Sequence, residues 1–145
     1  MMMKFAMAGL TAAGLAMMAG AAGAASAAGP IEGNWVNPSR TVTVHIGPCG
    51  PQLCGRVVSA SAGAKADAAA KGTARLVGTV LMSEMEPDGE GSWNAQIFVP
   101  DRNIHAQGEI HLTGPRTLDV QGCLGGLICK TQTWVKVASP VKRKR

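Results

Sequence analysis

From about residue 33 to residue 137 the chain alternates apolar and polar positions with a period of two. In "RTVTVHIG" Val42, Val44 and Ile46 fall on one side, and Thr41, Thr43 and His45 on the other. "NIHAQGEIHL" repeats the pattern, with Ile104, Ala106, Ile110 and Leu112 opposite His105, Gln107, Glu109 and His111. Successive side chains of a strand point to opposite faces, so this rhythm predicts half-buried antiparallel strands. "GNWVNP", "LCGRVVSA", "ARLVGTVLMS", "SWNAQIFVP", "RTLDVQG" and "TQTWVKVA" read the same way, which makes eight strands in all. Most are separated by turn residues such as Gly47-Pro48, Pro87-Asp88-Gly89 and Gly114-Pro115. Eight short antiparallel strands predict an all-β fold, a small closed or nearly closed barrel, because closure removes exposed sheet edges. A barrel of that size is filled by side chains or holds one small ligand.

One segment breaks the rhythm. "SASAGAKADAAAKGTA" is rich in Ala and Lys, and its central "AKADAAAK" favours helix over about two turns. A short helix or mobile loop is therefore expected at about residues 60–74, between strands three and four. The following "ARLVGTVLMS" is apolar on both faces, so its outer face is expected to need cover from the Ala-rich segment or from a partner.

The two ends read differently from the body. Lys4 precedes an uncharged Ala/Leu/Met run that closes on Ala25-Ser26-Ala27, a small-x-small pattern that signal peptidase cuts. Residues 1–27 are expected to be a cleaved Sec signal peptide, residues 28–139 one barrel domain, and residues 140–145 a basic disordered tail. The expected destination is the bacterial periplasm or the exterior. Of the 14 Lys and Arg residues, Lys4 lies in the leader and Lys142, Arg143, Lys144 and Arg145 in the tail, which leaves the body balanced against its 9 Asp and Glu. The net charge of +5 thus belongs to the ends rather than to a nucleic-acid-binding face. With no tyrosine and few other aromatics, the chain is also poorly supplied for stacking bases. The tail suits, at most, a salt-sensitive contact with an anionic envelope surface.

All four cysteines lie in two brackets, "CGPQLC" and "CLGGLIC". Four thiolates can close a zinc site, but the usual brackets enclose two to four residues; Cys49/Cys54 sits at that edge and Cys123/Cys129 beyond it. A thioredoxin-like pair would need two intervening residues and a helix start. Each bracket instead encloses a turn, Gly50-Pro51 or Gly125-Gly126, and an exported chain keeps its thiols oxidised. Cysteines that face each other across a hairpin are close enough to bridge. The expected pairs are Cys49–Cys54 and Cys123–Cys129, out of the three connectivities that four cysteines allow.

These pieces also carry a resemblance. "GNWVNP", "CGPQLCGRVV", "LVGTVLM", "GSWNAQIFVP" and "LDVQGCLGGLICKTQTWVKV", in that order over about residues 31–137, resemble the bacterial exported family called domain of unknown function 2147. The resemblance implies a lipocalin-like (calycin) small barrel and brings no activity with it. Calycin barrels often pack the Trp of an N-terminal Gly-x-Trp against a basic residue on the last strand. By that resemblance Gly33, Trp35, Gln132, Trp134 and Lys136 are the barrel-closure residues. Lys136 stands where relatives usually carry arginine, and lysine lacks the planar face that stacks on indole.

Other chemistry is sparse. His105 and His111 share a strand face with Glu109, but six residues put the two rings roughly 20 Å apart, too far to share an ion. His45 could join only one of them. Glu84, Glu86, Asp88 and Glu90 cluster in one hairpin without the spacing of a calcium loop. No G-x-S-x-G, H-E-x-x-H or Gly-rich phosphate loop occurs, so catalysis, a metal and a cofactor are not expected. The expectation is a monomeric exported barrel that binds a small apolar or amphipathic ligand. The alternative is an envelope structural or interaction module that uses the barrel exterior and the basic tail. An interior with no opening of roughly 300 Å³ would exclude the ligand carrier.

Overall fold

The computed structural model describes residues 14, 29–125 and 128–138. The expected signal peptide (Gly14 apart) and the basic tail lie outside the described residues. A 3-10 turn, Gly29–Ile31, leads into β1 (Gly33–Val36), β2 (Val42–Cys49) and β3 (Gln52–Ala60). The helix α1 (Ala62–Ala70) comes next, followed by β4 (Val80–Pro87), β5 (Ser92–Val99), β6 (Ile104–Gly114), β7 (Thr117–Leu124) and β8 (Ile128–Val137). Every strand pairs antiparallel with the next, and β8 returns to β1 through Trp35↔Lys136, which closes the barrel.

The alternation decides the interior. Val44 and Ile46 of β2, Ala106 and Ile110 of β6, and Leu118 and Val120 of β7 are buried, while His45, His105, Gln107 and Glu109 between them are exposed. The hairpins turn where glycine supplies left-handed backbone: Gly50 at φ 65° between β2 and β3, and Gly89 and Gly91 at φ 92° and 71° between β4 and β5.

The Ala-rich segment is a helix. Ser61 caps it, its Oγ accepting from the Ala64 N–H at 3.1 Å, and the Ser61 N–H donates to the Thr41 carbonyl at 2.8 Å. These bonds anchor the start of α1 to the β1–β2 turn. The strand expected from Ala74 begins only at Val80. Residues 74–79 instead form turns, with Gly78 at φ 98° and reciprocal 2.8 Å bonds from the Gly78 N–H to the Val57 carbonyl and from the Val57 N–H to the Thr79 carbonyl. This detour carries Leu76 into the core, where it joins Ala68 of α1. The cover expected for the outer face is therefore at the barrel's end, and Val77 stays exposed. Register shifts between β3 and β4 break strict alternation, so the adjacent Leu81 and Met82 are both buried.

Up-and-down topology sorts the connections by end. The β1–β2 turn, α1, the β5–β6 turn and the β7–β8 turn gather at one end. The turns β2–β3, β4–β5 and β6–β7 gather at the other, together with the N-terminal 3-10 turn.

Candidate ligand-binding cavity

The end that carries the 3-10 turn is closed. Trp35 is fully buried and donates its indole N–H to the Ile31 carbonyl at 2.8 Å. Lys136 crosses the floor: its Nζ lies 5.6 Å from the Trp35 ring centroid and donates to the Pro30 carbonyl at 2.9 Å. The ammonium meets the ring as a point charge, and its hydrogen bond fastens the 3-10 turn to the last strand. Gly33 leaves room for this, since a Cβ there would stand 2.7 Å from Lys136 Cε.

At the opposite end the barrel holds a cavity of about 660 Å³. Its wall is mostly aliphatic, with Leu81 and Met82 from β4, Ile97 from β5, Ile104 and Ala106 from β6 and Val120 from β7. The space exists because small residues meet on neighbouring strands. Gly108 pairs with Gly122 across β6 and β7, Ala106 precedes Gly108 on the same face, and the place of a Gly122 Cβ is 3.7 Å from Ala106 Cβ. Around the mouth stand Ala64, Asp67 and Ala68 of α1, Asp101 and Arg102 of the β5–β6 turn, and Leu124 and Ile128 of the β7–β8 hairpin.

Strand β8 is the polar exception. Lys130, Gln132 and Trp134 alternate along its inward side and all three line the cavity. Of the residues assigned to barrel closure, the structure brings Gly33, Trp35 and Lys136 together at the floor. Gln132 and Trp134 lie farther along β8, on the cavity wall. Sequence reading missed the cavity, although its trace was present as Ala106 and Gly122 at inward positions otherwise filled by large side chains.

Both expected disulfides form, Cys49–Cys54 and Cys123–Cys129. Their settings differ. Cys123 is directly opposite Cys129 in the register of β7 and β8, whereas Cys49 faces Gln52 and reaches Cys54 diagonally. One bond ties the hairpin at the cavity mouth and the other ties a hairpin at the closed end. Disulfides persist in oxidising compartments, in keeping with an extracytoplasmic chain.

The outer face carries the remaining polar chemistry. His45 Nδ1 is 2.9 Å from Asn34 Oδ1, His105 stacks on Phe98, and Gln52 donates to Glu86 at 2.6 Å. Register also assembles a cluster that no local motif announces. Ser92 Oγ lies 2.8 Å from His111 Nδ1, and His111 Nε2 lies 3.3 Å from Glu109 Oε2. This is the order of a nucleophile, a base and an orienting acid. It stands on the outside of β5 and β6, with His111 and Glu109 side chains 44% and 51% exposed, and none of the three residues lines the cavity. Among the described residues no three His, Cys, Asp or Glu side chains converge as a metal site, and no helix is long and apolar enough to cross a membrane.

Comparison with known proteins agrees with this architecture. Protein HP1028 from the human pathogen Helicobacter pylori, described as belonging to the lipocalin family, superposes with a TM-score of 0.57 at 13% identity, covering 73% of this chain and 82% of that one. At that identity the likeness is one of fold. No curated protein matches the sequence. The family model described as "uncharacterized protein conserved in bacteria (DUF2147)" matches residues 33–136, and the chain belongs to that family.

Proposed function

We propose that this protein is an exported, non-catalytic carrier or sensor that binds a small apolar or amphipathic molecule in the open end of its barrel. The observation that supports this most is the 660 Å³ cavity, which falls within the usual range of small-molecule sites and is walled mainly by aliphatic side chains. A core whose only task was stability would be filled, because voids forfeit dispersion contacts and are costly. The lipocalin-like fold is compatible with such a role, as a matter of analogy. The Ser92–His111–Glu109 cluster does not displace this reading, because it faces solvent on the far side of the wall and has no adjoining substrate cavity.

Native mass spectrometry of the protein purified from its own cells tests the proposal. The expected result is a discrete added mass that denaturation releases. Protein that carries no ligand and gives no saturable binding of an environment-sensitive apolar dye would refute the carrier reading. Labelling of Ser92 by a fluorophosphonate would instead make the outer face an active site.

A further inference from the structure

The cavity is not uniformly apolar, and the exception sits deep. Trp134 is 5% exposed, lines the cavity, and holds a buried indole N–H with no hydrogen-bond partner among the described residues. A buried donor left unpaired is destabilising, and native proteins seldom tolerate one without a reason. Indole is a donor only, so whatever pairs with it must present an acceptor. Lys130 and Gln132 line the cavity from the same strand, two and one strand-periods nearer the mouth, at intervals of about 7 Å.

Charge decides what kind of acceptor fits. The ionisable side chains that line the cavity are Asp67, Asp101, Arg102 and Lys130, and all four are exposed. None accompanies Trp134. A carboxylate driven down to a single N–H among Leu81, Met82, Ile97 and Val120 would lose its hydration with no counter-charge to replace it. A ketone, ester or ether oxygen bears a much smaller penalty and accepts the same bond.

We infer that the ligand is an apolar molecule with a neutral oxygen acceptor at its leading end, which seats on the Trp134 N–H, while any charged group it carries stays at the mouth beside Lys130 and Arg102. The inference rests on the ligand-binding reading above and names the class of molecule that the same cavity selects. Trp93 supplies an internal control: its indole N–H is likewise buried and unpartnered, but Trp93 does not line the cavity.

The test uses the ¹⁵N-labelled protein with two ligands of equal length, a long-chain methyl ketone and the corresponding alkane. The chain has three tryptophans, so three indole N–H signals report, each assigned by its Trp→Phe variant. The ketone is expected to move the Trp134 signal downfield on saturation and leave those of Trp35 and Trp93 in place. It should also bind about fivefold more tightly than the alkane. Trp134→Phe should erase that preference, and because the readout is a ratio, any general weakening of the variant cancels. Equal affinities with no downfield shift at Trp134 would overturn the inference and leave the carrier reading standing. If neither ligand saturates, both fall together.

Discussion

Gly33 and Lys136 occupy one volume at the barrel floor: a Cβ on Gly33 would stand 2.7 Å from Lys136 Cε, while the Lys136 ammonium reaches past it to the Pro30 carbonyl. Gly33 also has φ 142°, a backbone conformation that side chains rarely adopt. The floor therefore depends on an absent side chain at one position and a long cationic one at the other.

Gly33→Ala is expected to lower unfolding free energy by about 1–3 kcal/mol, from backbone strain and the displaced lysine stem. Lys136→Met keeps the stem and removes the charge, and should cost about 1 kcal/mol through the lost hydrogen bond and ring contact. Urea titration of both single variants and the double variant separates the terms. Since the alanine already displaces the ammonium, the double loss should fall short of the sum. Strict additivity would mean that Gly33 is needed only for its backbone.

Gly122 offers the complementary experiment at the open end. No positive φ constrains it, and a Cβ there makes ordinary contact with Ala106. Gly122→Leu should project a side chain into the cavity and reduce binding of the natural or surrogate ligand at least tenfold, with stability changed by less than about 1.5 kcal/mol. Calorimetric titration alongside thermal unfolding checks both halves. Undiminished binding would place the ligand elsewhere.

The strands were legible in the sequence because a period of two encodes which face is buried, residue by residue. The short cysteine brackets were legible for a similar reason, since a turn of a few residues leaves two half-strands little choice of partner. What a single run of sequence does not encode is which residues become neighbours across strands. The cavity depends on Gly108 pairing with Gly122 beside Ala106, and the polar cluster on Ser92 pairing with His111. Both follow from hairpin register. The fourth strand was misjudged at its start because apolar Leu76 fits a strand pattern and an end-plugging turn equally well. Composition alone does not distinguish the two.

Register also makes the two disulfides unequal for function. In the chain-entropy account each closes a short loop and contributes about 2 kcal/mol, so replacing either pair by alanine should lower stability by a similar amount. Their effects on binding should diverge. Cys123 and Cys129 clamp the hairpin whose Leu124 and Ile128 border the cavity mouth, whereas Cys49 and Cys54 clamp a turn at the closed end. Removing the first pair is expected to weaken ligand binding severalfold, chiefly through faster dissociation as the rim loosens. Removing the second should leave affinity unchanged at temperatures where the barrel stays folded. Stopped-flow dissociation on the two double-alanine variants, each checked for folding by circular dichroism, decides the matter. Equal dissociation rates would show that the mouth is held by the strands themselves and that both bonds serve only the stability of the barrel.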